Sequence, residues 1–263
     1  MRGKTLILLA LAPLAGYALQ AKAAVILNTA GNFAVLAGST VTNTGSTVIT
    51  GGNVGVSPGT AITGFPPGTV TPPFNTTHTG DAVAAAAEGD LTTAYNAAAG
   101  LGVTQTLTGQ DLGGKILTPC VYFFASSAAL TGILTLNDQG DPNAQFVFQI
   151  GSTLTTATNA SVVTINGVAN PGSTVFWQVG SSATLGTGTA FEGHILALTS
   201  ITLDTGATIL NGSALARNGA VTLDGNSITN TGSSGVIPEP ATLSLALVGG
   251  VLLVMRRRPR HGC

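Results

Sequence analysis

FVFQIGSTLTTATN (residues 146–159), VFWQVGSSATLGTGTA (175–190), HILALTSITLDTGAT (194–208) and SALARNGAVTLDGNS (213–227) are four versions of one pattern. Each holds an apolar run rich in β-formers, a small polar turn and a second, threonine-rich strand. The copies start at Phe146, Val175, His194 and Ser213, so the last two intervals are equal and the first is longer. The turn formers of NGVANPGS, from Asn166 to Ser173, account for the extra length. FAVLAGSTVTNTGST from Phe33 repeats the pattern, and VYFFASSAALTG from Val121 repeats it weakly. So short a unit cannot bury its own apolar face, so copies must stack, each hydrogen-bonded to the next about 4.8 Å away. Such self-similarity predicts a mainly β chain wound as a solenoid. A leucine-rich repeat has a similar period but its L-x-x-L-x-L signature is missing here, and a β-sandwich does not require near-identical periods with Gly-Ser turns at one place.

One segment breaks the pattern. Residues 81–99 (DAVAAAAEGDLTTAYNAAA) are alanine-rich, begin with an acid and are followed by Gly100, which predicts a helix. Its apolar face, expected to include Val83, Ala87, Leu91 and Tyr95, suits packing along the flank of a sheet. GFPPGTVTPPFN, from Gly64 to Asn75, reads as an extended connector.

Composition narrows the class. Only 7% of the 263 residues are charged, against about 25% in an ordinary domain. Aromatic residues reach 5% and glycine numbers 36, which excludes a helical bundle. The abundance of β-branched residues excludes a disordered chain. The bases are segregated: between Ala24 and Ile237 only Lys115 and Arg217 oppose nine acids, a net of −7. Such a body cannot neutralise a run of phosphates, so no nucleic-acid partner is expected.

Both ends read as addresses. Residues 1–23 carry Arg2 and Lys4, an apolar run and the A-x-A site of Ala21 and Ala23, a secretory signal peptide cleaved there. The body then covers 24–235. In residues 236–263, Pro238, Glu239 and Pro240 precede an apolar stretch from Ala241 to Met255 and three arginines. This closely resembles a PEP-CTERM sorting tail. The resemblance implies an exosortase-type membrane enzyme as processing partner, a Gram-negative envelope, transient inner-membrane anchoring, and a product that is secreted or held at the cell surface or matrix. A simple C-terminal anchor is the alternative, and it places the body outside as well. Cys120 and Cys263 are the only cysteines, and Cys263 lies beyond the processed end. No bond between them is expected, and Cys120 reads as a lone buried thiol.

Catalytic chemistry is scarce. His78 and His194 are far apart without metal-ligand spacing, and His194 opens a strand and reads as structural. Asn137, Asp138 and Asp141 in NDQGDPN lack the spacing of a calcium loop and read as a turn. No G-x-S-x-G elbow occurs, and two bases 102 positions apart cannot build the acid-and-base cluster of a solenoid polysaccharide enzyme. Neither enzymatic activity nor a cofactor nor a metal is expected.

Threonine is what repeats. Overlaid, the copies give a column of Thr156, Thr187 and Thr205, joined by Thr44, each followed by a small residue. Beyond it lie Thr158 and Asn159, Thr189 and Ala190, Ala207 and Thr208, Ser46 and Thr47. Stacked coils turn such a column into a rigid ladder of hydroxyls and methyls, which can hold water in a fixed lattice. Its ligand would then be ice. Threonine is also a good strand former, and a purely structural ladder serves the residues equally well.

From about Asn28 to Asn230 the chain resembles the bacterial and fungal ice-binding family known as DUF3494. The carrying motifs are NFAVLAGSTVTNTGSTVITGGNVGVSPGTAITGFPPG from Asn32, the helix from Asp81, LTPCVYFF from Leu117, LTLNDQGDPNAQFVFQIGSTLTT from Leu134 and FWQVGSSATLGTGTAFEGHILALTSITLDTGAT from Phe176. The resemblance implies a discontinuous right-handed β-solenoid of triangular cross-section with one long α-helix along its side. It also implies an ice-binding face marked by T-[A/G]-x-[T/N]. Thr44 to Thr47, Thr156 to Asn159 and Thr205 to Thr208 match that motif, while Thr187 to Ala190 departs at its last position. The expectation is a monomeric, extracellular, antifreeze-like protein that adsorbs to the ice crystal surface and its ordered water. The rival is a structural or adhesive envelope protein on the same fold.

Overall fold

The computed structural model describes residues 25–72, 76–167 and 174–231. The signal-peptide site at Ala21 and Ala23 and the sorting motif Pro238, Glu239 and Pro240 lie outside them. The fold is mainly β, with parallel pairing and one long helix. Each stacked copy places three short runs into three parallel ladders.

One ladder is a sheet of seven strands. In spatial order these are Ala128–Leu130, Leu154–Thr156, Ala183–Leu185, Ile201–Leu203, Val221–Asp224, Thr40–Thr44 and Ala61–Thr63. The second runs through Ile116–Leu117, Ile133–Asn137, Ser161–Ile165, the first halves of Ala190–Ala197 and Thr208–Ala216, then Ser227–Thr229, Val48–Thr50 and Thr69–Val70. The third contains Val121–Phe124, Gln145–Ile150, Thr174–Val179, the second halves of the two long strands, Phe33–Ala37 and Asn53–Val56. Spatial order departs from chain order at one joint, where the first copy stacks on the last. Val35 pairs with Ala214, Val41 with Val221, and Val48 with Ser227.

Alternation explains the core. Inward residues of the three ladders meet in one cluster, and its centre is a row of rings set by strand register: Tyr122 pairs with Phe148 and Phe148 with Trp177. Phe148 and Trp177 stack at 3.9 Å and 7°, and Tyr122 stacks on Phe148 at 5.3 Å. The indole N–H of fully buried Trp177 donates to the Glu192 carbonyl at 3.0 Å. A ring stack along the coil axis therefore couples three successive copies.

The helix runs Ala82–Ala99, capped by the Asp81 carboxylate, which accepts from the Ala84 N–H at 2.9 Å. It covers the outer face of the third ladder through Ala84, Ala87, Leu91, Ala94, Tyr95 and Ala98. Val83, expected on this face, is exposed. Ala84, Ala87, Leu91 and Ala98 recur at the spacing of a single helix stripe, and Val83 falls one position off it. The proline-rich stretch is less of a connector than expected, since Thr69–Val70 pairs with the Val48–Thr50 strand and Phe65 packs against the core, closing one end of the stack. Cys120 is not a free thiol: it is buried and disulfide-bonded. Position along the chain sets aside Cys263, the one other cysteine, which lies outside the described residues, but distance in sequence does not limit proximity in a fold.

Two titratable groups, half-buried Glu88 and buried His194, give stability opposite pH slopes. Burial raises the Glu88 carboxyl from 4.5 to about 8 against the pull of Arg217, and one of its oxygens has no partner. Glu88 is therefore protonated in the fold, and its contribution is full below pH 4.5 and lost as pH rises through about 8. His194 sits under the helix against Phe176, its Nδ1 2.8 Å from the Ser213 hydroxyl, and burial lowers it from 6.5 to about 4. Its contribution is full above pH 6.5 and lost as pH falls through about 4. Unfolding across pH should show Glu88→Gln stabilising the fold at pH 8 by roughly 1–3 kcal/mol with little change at pH 4, and the acid limb surviving. An unchanged alkaline slope would refute this reading of Glu88.

Candidate functional site

In the seven-stranded ladder the tripeptides around Thr155, Thr184, Thr202, Thr222 and Thr42 alternate inward, outward, inward. Leu154, Ala183, Ile201, Val221 and Val41 are buried, as are the residues that follow each threonine, so strand period directs every one of these threonines outward. Register then aligns them: Ala129, Thr155, Thr184, Thr202, Thr222, Thr42 and Thr63 pair successively across all seven strands. Six consecutive threonines thus form a column whose five steps of about 4.8 Å span roughly 24 Å. A second lane lies two residues earlier on each strand, with Ser127, Thr153, Ser182, Ser200, Ala220 and Thr40. There Thr153 donates to the Ser127 hydroxyl at 2.8 Å. Neither lane carries a charged residue.

Hydroxyl partners separate this column from the buried threonines of the neighbouring corner. Among the described residues, none of its six side chains has a hydrogen-bond partner in the protein. At the corner beside it, three threonine hydroxyls are used structurally. Thr156 and Thr189 are buried, their hydroxyls 2.7 Å apart, and Thr156 accepts from the Gly186 N–H at 2.9 Å. Thr47 is buried, donates to the Asn43 amide oxygen and accepts from the Asn226 N–H at 3.0 Å.

These positions differ from the sequence overlay in a definite way. Register sets Thr156 opposite Leu185, and Leu185 opposite Leu203. Counting on, Thr158, Thr187 and Thr205 share one position, and Thr156 does not belong with the latter two. The T-[A/G]-x-[T/N] segments are therefore the corner between the first and second ladders. Each coil turns this corner through one positive-φ residue, Asn159, Gly188, Gly206, Gly225 or Gly45, reached one residue sooner in the last two, and in TGTA, TGAT and TGST that residue is the small one of the motif. Thr44, Thr158, Asn159, Thr187 and Thr205 are exposed along this corner, beside the outward column. The Thr205 hydroxyl is committed to Asp224, and that of Thr44 donates to the Leu223 carbonyl at 3.2 Å. Thr208 lies on the second ladder, half-buried. Thr47, Thr156 and Thr189, expected on an exposed face, point into the corner instead because the chain bends between i and i+3.

The missed residues had a signal, the repeated apolar-Thr-apolar tripeptide of ATL, ITL and VTL, with LTT as its variant. Asp141 caps its own loop by accepting from the Asn143 N–H at 2.9 Å, and among the described residues no group of acids, histidines and cysteines could hold a metal ion. The face offers no titratable group for catalysis. What it offers is area, regular spacing and unsatisfied hydroxyls.

Known proteins resemble this chain along most of its length. Residues 35–229 match the family described as ice-binding-like. An ice-binding protein of Nostoc sp. (strain HG1) is 56% identical over 270 residues, covering 98% of this chain and 97% of the relative. One from Typhula ishikariensis is 36% identical and covers 68% of this chain and 79% of its own. Among solved structures, an ice-binding protein from an Antarctic biological consortium superposes with a TM-score of 0.71 at 48% identity, covering 84% of this chain and 96% of that one. An Arctic yeast ice-binding protein superposes with a TM-score of 0.68 at 30% identity, over 80% of this chain and 96% of that one.

Proposed function

The chain belongs to the ice-binding-like family, and on that premise we propose that it adsorbs to ice through the column Thr155, Thr184, Thr202, Thr222, Thr42 and Thr63, inhibiting ice growth and recrystallisation outside the cell. The observation that carries this reading is the set of six threonines aligned in register on one face of a parallel ladder, with hydroxyls that have no protein partner among the described residues. Each free hydroxyl anchors one water, and each methyl leaves the neighbouring waters caged. A single contact of this kind is weak. A rigid sheet engages all of them at once without losing conformational entropy, so their sum holds the molecule at a growing ice front. Thr158, Thr187 and Thr44 at the corner extend the contact along one edge. No catalytic step is involved.

The coils wind right-handed in this proposal, with the three ladders as the sides of a triangular prism. The working form is a monomer. It leaves the cytoplasm by the signal peptide of residues 1–23 in a Gram-negative bacterium, and an exosortase-type enzyme processes the tail near Pro238, Glu239 and Pro240.

Thermal hysteresis and recrystallisation assays on the exported protein test the central statement, together with capture of labelled protein by a growing ice hemisphere. Incorporation into the ice with faceted crystals is expected. Exclusion from the ice and unfaceted growth would leave the structural or adhesive reading in its place.

A further inference from the structure

The second ladder presents a different surface. Glu192 pairs with Leu210 and Leu210 with Thr229, and counting on from the Ser161–Ala190 pair places Val163 on the other side of Glu192. Val163 and Leu210 are exposed, and they line a shallow groove of about 450 Å³, a volume within the usual range of small-molecule sites. Among the described residues, Glu192 is the one charged group of the lining.

That carboxylate lacks a cation. Glu192 is only 9% exposed, so it has been withdrawn from most of its water. The Thr164 hydroxyl donates to its Oε2 at 2.8 Å and the Asn211 amide to its Oε1 at 3.4 Å, both of them neutral donors. The one ion pair among the described residues joins His78 and Asp81. Of the two bases there, the Lys115 ammonium donates to the Gln110 side chain at 2.7 Å. The Arg217 guanidinium lies 4.6 Å over the Tyr95 ring and donates to the Thr92 hydroxyl at 3.3 Å. A buried carboxylate costs free energy unless a positive charge compensates it, and here the body holds no base in reserve. The group is nevertheless built in firmly. Strand pairing slips by one residue between Glu192 and His194, where Gly193 and Asn211 take positive φ, and the Asn211 amide meets Glu192 beside that bulge.

We propose that this groove binds a small primary alkylammonium ion, its ammonium donating to Glu192 Oε1 and its carbon chain lying on Val163 and Leu210. Oε1 accepts one long bond from the protein and keeps capacity for a second donor. The other cations fit less well. A calcium or magnesium ion needs about six oxygen ligands, and among the described residues no group of acids, histidines and cysteines could hold a metal ion. A quaternary ammonium is read by aromatic faces, whereas the Phe191 ring is buried against Trp177. A chain with a cation at both ends would lay its second charge on aliphatic side chains. The threonine column lies on another ladder, so this site and the ice reading stand or fall separately.

Titration calorimetry on the full chain tests the proposal, with Trp177 as a second reporter. Trp177 is the one tryptophan of the sequence, its indole N–H is bonded to the Glu192 carbonyl, and its ring lies 4.9 Å from that of Phe191. Hexylammonium chloride should bind saturably at one site. Hexanol and the diammonium of the same length should bind at least tenfold more weakly. Affinity should rise about twofold per methylene from butylammonium to hexylammonium, as for a chain half covered by the groove. Glu192→Gln keeps an acceptor for Thr164 and removes the charge, so it should weaken hexylammonium at least tenfold. Leu210→Ser, at an exposed position, should erase most of the advantage of hexylammonium over butylammonium. Absence of saturable binding by the wild type, hexanol binding as tightly as hexylammonium, or unchanged affinity in Glu192→Gln would each overturn the proposal. The comparison of hexylammonium with hexanol needs only the wild type, so it decides the matter even where Glu192→Gln fails to fold. None of these readouts involves ice.

Discussion

Replacing Thr202 by tyrosine should reduce thermal hysteresis by about tenfold or more while leaving the unfolding midpoint within a few degrees. Thr202 stands in the middle of the six-residue column, flanked in register by Thr184 and Thr222. Its side chain projects outward from a strand whose inward neighbours, Ile201 and Leu203, carry the packing. A ring there lifts the adjacent hydroxyls off a flat crystal plane, and the additive contact of the whole column is lost with them. The informative partner is Thr156→Val. It removes the hydroxyl that pairs with Thr189 and accepts from Gly186, so it should destabilise the fold by about 1–3 kcal/mol yet leave hysteresis per folded molecule unchanged. The opposite pattern, with Thr156 governing hysteresis and Thr202 silent, would return the working surface to the corner motif.

The largest loss of stability should follow Trp177→Ala, at about 3–5 kcal/mol. The indole is fully buried, stacks on Phe148 at 3.9 Å and lies 4.9 Å from Phe191. Alanine leaves a cavity that flanking strands cannot close, because their hydrogen-bond ladders fix the distance between coils. The Glu192 carbonyl also loses its donor. For a body of this size the midpoint should fall by roughly 10 °C or more, read by calorimetry. Trp177→Phe keeps the stack and should recover most of that loss; equal destabilisation by both substitutions would show that the indole hydrogen bond, not packing, carries the effect.

The repeat made the stacked parallel architecture legible, because no single unit can fold alone and because apolar and polar residues alternate at the strand period. The helix was legible from alanine, Asp81 and Gly100, although Val83 shows how a shift of one residue carries a side chain more than a quarter of the way round the axis. The outward threonine column was less so. Thr155 and Thr156 are neighbours in sequence and alike in chemistry, yet one faces water and the other the interior, and only strand register tells them apart. Overlaying copies by their glycines aligned the corner, where the coils differ slightly in length, and so displaced Thr156 from its true partner. The disulfide at Cys120 was hidden for a different reason, since no local pattern around a single cysteine records that its sulfur is bonded.

The joint between the first copy and the last has a consequence for how the molecule comes into being. Strand Phe33–Ala37 finds its partner Thr208–Ala216 only after roughly 180 further residues have been made. In the threonine column the junction falls between Thr42 and Thr222. A chain delivered amino terminus first therefore keeps one side of its opening strands without a partner until nearly the whole body has arrived. Closure is a late, high-contact-order event, with the slow folding and exposure to misassociation that such topologies carry. The continuous column is the last thing to exist, so a chain truncated between residues 205 and 220 holds two fragments of it, Thr42 with Thr63 and Thr155 through Thr202, and no uninterrupted face.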